Sequence, residues 1–130
     1  MEKLRAQIEL CEKAVATFKE ILEEPYTVIV RDASIQRFEY SFETLWKTCK
    51  VFLNIVEGVR CDTPKSCFRN IFKAGVVNED QAEKLLIVTD DRNLTSHTYI
   101  EAVAATIYSR LRDHYSLMDR VLQEIKARSS

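Results

Sequence analysis

Residues 32–58 read DASIQRFEYSFETLWKTCKVFLNIVEG. Ile35, Phe38, Phe42, Leu45, Trp46, Cys49, Phe52, Leu53 and Val56 recur at helical spacing, so they share one wide apolar stripe. Asp32 suits the N-cap of such a helix, and Gly58 suits the position just past its end. Four of the seven phenylalanine and tryptophan residues lie on this stripe, which is therefore expected to form the centre of the core. At this spacing Trp46 and Phe42 read as core residues rather than a ligand platform.

Similar patterns lie on both sides. Leu4, Ile8, Cys11, Val15, Phe18 and Leu22 form one face of a helix over residues 2–23, and Pro25 ends it. Tyr26–Val30 is rich in β-branched residues and too isolated to build a sheet, so it is expected to be an extended connector packed on the bundle. Thr63 and Pro64 open a short helix that ends at Gly75, with Cys67, Ile71 and Phe72 facing inward. Asn78 and Gln81 form a capping box for a fourth helix, whose inner face carries Ala82, Leu85, Leu86 and Thr89. Thr98 and Glu101 have the same spacing at the start of a fifth. That helix then carries Val103, Ala104, Ile107, Tyr108, Leu111, Tyr115, Met118, Leu122 and Ile125 on one stripe. The expected fold is an all-α, antiparallel up-and-down bundle of about five helices, with residues 1–130 as a single domain.

Composition agrees. A chain of 130 residues with 46% apolar residues is long enough to bury a core, and two glycines with two prolines leave little room for tight turns. Net charge is −1 with no basic arm, so any affinity for nucleic acid must come from a local patch. Cys11, Cys49, Cys61 and Cys67 form no CxxC pair and match no zinc spacing, and Cys11 and Cys49 fall on apolar stripes. The N-terminus lacks an apolar signal region and no apolar run approaches the ~20 residues a membrane span needs. The chain reads as cytoplasmic and reduced, with no membrane, metal or cofactor.

One junction stands out chemically. Residues 90–99, DDRNLTSHTY, hold Arg92, His97 and Tyr99 between two helical patterns. Arginine offers a planar charged fork for phosphate, and histidine titrates near neutrality. Tyrosine offers a hydroxyl that can accept a transferred group. Metal-free cleavage of a phosphodiester needs a base for the 2′-hydroxyl and a cation for the charge building on phosphorus. A symmetric dimer would supply two copies of each. The spacing R-x4-H alone leaves a plainer alternative open, with Arg92 paired to Asp90 or Asp91, His97 capping a helix end and Tyr99 packed at the junction. Lys65, Arg69 and Lys73 form an ordered basic ridge, either a solvated face or a wall for phosphate or an acidic partner. His114 is expected at the surface or the edge of the core. No Ser/His/Asp set, P-loop or dinucleotide fingerprint is visible.

Three blocks carry a family resemblance: RDASIQRFEYSFETLWK (31–47), TPKSCFRNIFKAG (63–75) and DRNLTSHTYIEAVAATIYSRL (91–111). They resemble the HEPN superfamily, and more narrowly the nucleotidyltransferase substrate-binding proteins that accompany minimal nucleotidyltransferases. The third block holds the superfamily's R-x4-H signature followed by its tyrosine. Two positions depart from the group's pattern. Lys84 and Leu85 stand where a tryptophan is frequent, and Ile100 stands where Asp or Asn is frequent. The resemblance implies a homodimer whose R-x4-H motifs line a shared cleft. It also implies, as in HepT-like relatives, a metal-independent ribonuclease toxin neutralised when the partner nucleotidyltransferase adenylylates the tyrosine. Carried over, Arg92 is the phosphate ligand, His97 the general acid/base and Tyr99 the AMP acceptor. Asn93 and Asp91 are supporting groups; the ridge of Lys65, Arg69 and Lys73 is open between RNA contact, partner contact and a solvated face. A non-catalytic subunit that binds nucleotide or substrate is the alternative.

Overall fold

The computed structural model describes residues 1–129. Five helices account for its architecture: α1 (Glu2–Leu22), α2 (Val28–Phe52), α3 (Pro64–Lys73), α4 (Glu79–Leu94) and α5 (Glu101–Arg128). No strand occurs among the described residues, so the all-α expectation holds. Cross-links give the directions. Gln7 bonds to Thr48 and Arg37 to the Thr17 carbonyl, so α1 and α2 are antiparallel. Arg112 reaches the Leu22 carbonyl and Lys126 reaches Glu12, so α5 is antiparallel to α1. No helix of the described chain is long and apolar enough to cross a membrane.

The core follows the stripes. All six apolar residues expected on α1 are buried, and from the second stripe so are Ile35, Phe38, Phe42, Leu45, Cys49, Phe52 and, just past α2, Leu53. Phe42 stacks edge-on against Phe68 of α3, with ring centroids 5.8 Å apart. That contact corrects the inner face of α3. Phe68 is buried beside Cys67 and Ile71, whereas Phe72 is 42% exposed. At about 100° per residue, 64, 67, 68 and 71 share an arc of roughly 100°, and Phe72 falls about 40° beyond it. Thr63 accepts from the Ser66 amide and Gly75 lies at φ +79, so both expected ends of α3 are present. Asn78 and Gln81 form both bonds of their capping box.

Three further expectations are corrected. The helix α2 begins at Val28, with Thr27 accepting from the Val30 amide, so Asp32 is not the cap and residues 28–30 are not an extended connector. Ile29 is 81% exposed rather than packed on the bundle. Strand propensity of Val-Ile-Val is a weak prior, and a capped first turn overrides it. At the other end, Leu53–Glu57 forms a π-turn before Gly58 takes the left-handed conformation. The wider turn shifts the register, which leaves Val56 exposed instead of on the core stripe. Finally, Cys61 and Cys67 are joined in a disulfide, so the thiols are not all reduced. Their Cα atoms are 5.3 Å apart because Thr63 and Pro64 turn the chain back onto α3. Cys11 and Cys49 stay free and buried, and burial pushes both thiols up from their ordinary pKa.

His114 is not a surface residue but sits at the edge of the core, buried yet lining an open groove between α4 and α5. It is 7% exposed, its ring lies 5.6 Å from that of Phe38, and its Nε2 is 2.6 Å from Oδ2 of Asp91. Asp91 is itself buried, and its Oδ1 accepts from Arg110 Nη1 at 2.8 Å. Replacing Asp91 with Ala strands a buried donor and should lower the unfolding free energy by about 1–3 kcal/mol in a denaturant titration. Adding His114→Leu should cost less than the sum of the two single changes. Strict additivity would show that the pair is not coupled.

Candidate functional site

The helix α4 does not stop cleanly. A 3₁₀ turn, Thr95–His97, continues it, and Thr98 and Tyr99 turn the chain into α5. The Thr98–Glu101 capping box is not formed. Ile100 holds the N-cap position without a side-chain bond, and the Thr98 hydroxyl donates back to the Thr95 carbonyl. Glu101 pairs instead with Arg31 of α2, which also pairs with Asp32. These bonds, Glu101 foremost, hold the buried Arg31 guanidinium firmly in its charged form. The junction is thus set by a cross-helix ion pair, not by a local cap.

Three consecutive residues at the end of α4 reach three different helices. Asp90 accepts from Lys65 of α3 at 2.7 Å. Asp91 binds Arg110 and His114 of α5. Arg92 turns to α2, with Nη2 3.5 Å from Oε1 of Glu43. Successive residues on a helix point about 100° apart, so a run of three can fan out in this way. Arg92 pairs with neither Asp90 nor Asp91, which removes the local pairing considered from the sequence. Its side chain is 28% exposed, and its Nε is buried without a hydrogen-bond partner. The guanidinium therefore keeps donor capacity.

His97 and Tyr99 are both exposed, Tyr99 by 80%. The Tyr99 hydroxyl lies 3.4 Å from Nδ1 of His97, and the rings meet edge-on with centroids 6.0 Å apart. Asn93, four residues before His97, is exposed as well. Arg92, Asn93, His97 and Tyr99 thus lie along one helix junction, whereas Asp91 is turned away into the bundle, where it pairs with Arg110 and His114 of α5. The basic ridge divides. Lys65 is tied to Asp90, whereas Arg69 and Lys73 are exposed and make no ion pair among the described residues.

Sequence reasoning missed Glu39 and Glu43, which stand one turn apart on α2 and face Arg92. Their i,i+4 spacing inside the first sequence block was the available signal. Burial pushes the Glu39 carboxyl above its ordinary range, with the Arg92 charge and a bond from Thr95 partly offsetting it. The folded chain thus holds this proton more tightly than the unfolded chain does. The associated stability is complete at pH below the unfolded carboxylate range and is lost as pH rises through the raised folded value. Glu39→Gln should therefore raise the thermal midpoint at neutral pH and leave it unchanged in acid. A lower midpoint at neutral pH would mean that ionised Glu39 is a net support for Arg92.

Comparison with known proteins agrees with the fold and the sequence blocks. Residues 6–127 match the family described as nucleotidyltransferase substrate binding protein like. A solved protein from Thermus thermophilus is 43% identical, with a TM-score of 0.83, over 88% of this chain and 98% of its own. A second, from Haemophilus influenzae, is described as revealing the fold of a substrate binding domain of a nucleotidyltransferase. It aligns with a TM-score of 0.66 at 19% identity, over 96% of this chain and 98% of its own, a likeness of fold. Comparison with curated proteins gives no match. Since the match spans nearly the whole bundle, the chain belongs to the nucleotidyltransferase substrate binding protein-like family.

Proposed function

We propose that the chain is the RNA-cutting member of a two-protein system whose other member is a minimal nucleotidyltransferase. The observation that carries this is the placement of the Tyr99 hydroxyl 3.4 Å from the His97 imidazole, both in solvent, on the junction that also bears Arg92. In the proposed reaction a neutral His97 takes the proton of an RNA 2′-hydroxyl, and the 2′-oxygen attacks the adjacent phosphorus. The bond to the 5′-oxygen breaks, leaving a 2′,3′-cyclic phosphate, and a protonated His97 from a second copy supplies the leaving oxygen's proton. Arg92 holds the charge that builds on the phosphoryl oxygens. A 3.5 Å contact to Glu43 is weak and the side chain is 28% exposed, so phosphate can compete for the terminal nitrogens of this fork. A symmetric homodimer is therefore part of the proposal, since each chain brings one His97 and one Arg92.

The same placement accounts for inhibition. An adenylyl group on Tyr99 sets a phosphate and a nucleoside against His97, where charge and bulk exclude substrate. The partner is then both the modifying enzyme and the check, and the pair works in the cytoplasm.

A second reading is favoured by the description of the Haemophilus protein as a substrate binding domain. On that reading the junction only holds a nucleotide or the partner's substrate, without turnover.

The two separate cleanly. Under the first, chelator-treated protein cuts RNA, and His97→Ala lowers the rate by about 10²–10⁴-fold with an unchanged thermal midpoint, because the side chain is exposed. Intact RNA across a range of substrates, with measurable nucleotide binding, would favour the second. Co-expression with the cognate nucleotidyltransferase should add the mass of one adenylyl group, absent in Tyr99→Phe. A stable complex with an unmodified chain would sink the inhibitory role of Tyr99.

A further inference from the structure

Glu43 joins the junction to a second feature of α2. While Oε1 faces Arg92 at 3.5 Å, Oε2 accepts from the indole N–H of Trp46 at 3.2 Å. Trp46, a core residue by its spacing, is only half-buried and lines an open groove of about 510 Å³. Lys3, Lys47, Lys50, Asn54 and Arg60 line the same groove, and Lys50 Nζ lies 5.9 Å from the centre of the indole ring. The groove's four cations are loosely neutralised. Asp62 is shared between Lys50 at 3.6 Å and Arg60 at 3.5 Å, and Lys47 sits 3.9 Å from Glu43. In a chain of net charge −1, this is a local excess of positive charge.

An aromatic face among cations that line an open groove suits single-stranded nucleic acid. The ring stacks on a base of any identity, and the cations follow the phosphates. A protein partner is less well matched, because lysine is depleted in the centres of protein interfaces. We propose that this groove is the track for single-stranded RNA leading to Arg92, with one base stacked on Trp46 and backbone phosphates on Lys47, Lys50 and Arg60. Glu43 marks the point where the track meets the junction. The proposal rests on the reading of the chain as a protein that acts on RNA, and it adds how that RNA is held.

Trp46 is the only tryptophan, so its fluorescence reports on the groove alone. The probe is a 2′-O-methyl octanucleotide, which lacks the free 2′-hydroxyl and stays uncut. Titration should quench Trp46 emission saturably. Lys50→Gln/Arg60→Gln, two changes that leave Glu43 and Arg92 untouched, should weaken binding about tenfold or more. They should also lower the slope of log affinity against log salt by about 1.4, roughly 0.7 for each phosphate no longer neutralised. With a labelled probe read by anisotropy, Trp46→Phe should bind within a few-fold of the parent. Trp46→Leu should bind roughly 5- to 150-fold more weakly, the loss of one stacked base. Should Trp46→Leu fail to fold, the quenching and the salt slope still decide.

Quenching without cleavage of the matching ribo-oligomer would keep the track and remove the ribonuclease reading. Cleavage at an unchanged rate by Lys50→Gln/Arg60→Gln, with emission unmoved, would overturn the track and leave the ribonuclease reading standing. Quenching by the purified nucleotidyltransferase but not by the oligomer would overturn it in favour of a protein-docking face.

Discussion

The last turns of α4 hold the bundle by three adjacent charges, and the position of everything at the junction depends on that clamp. Asp90 reaches α3, Asp91 reaches α5 and Arg92 reaches α2. The middle contact is the one with consequence for folding. A carboxylate removed from water is tolerated only when its oxygens are satisfied, and each oxygen of Asp91 has its own donor, Arg110 on one side and His114 on the other. Such a group tolerates little displacement, so the helix that ends beside it is fixed in rotation as well as position.

That fixed rotation decides which residues are available for chemistry. With Asp91 turned into the bundle, Arg92 is brought to α2 at a long contact with Glu43, and the chain continues as a 3₁₀ turn that leaves His97 and Tyr99 in solvent. The start of α5 is tied down by Arg31 and Glu101, so no local cap is needed at Thr98. The imidazole and phenol are thereby held 3.4 Å apart at the exposed junction. Glu43 then connects this junction to Trp46 and the cationic groove, one carboxylate oxygen facing each.

Much of the fold was legible because burial in a helical bundle repeats every three or four residues. The stripes of α1 and α2, the Thr63 and Asn78 caps and the glycines 58 and 75 all follow from local rules. The misreadings have separate causes. Thr27 caps α2 although the next three residues favour strand, and the π-turn moves Val56 out of the core. His114 stands at a core position of its own helix, between Leu111 and Met118, but only a buried acid on another helix explains a polar group there.

The sequence by itself determined the helical architecture and the presence of Arg92, His97 and Tyr99 at one helix break, because spacing along a chain encodes local geometry. Tertiary structure alone decided that Arg92 faces Glu43 and Glu39, that Asp91 leaves the site for His114, that Cys61 meets Cys67, and that Trp46 opens onto cations. The first three join residues on different elements or across a turn, and the groove adds Lys3 and Arg60 from other segments to the lysines of α2, so the partners are chosen by packing and by the need to satisfy buried charge.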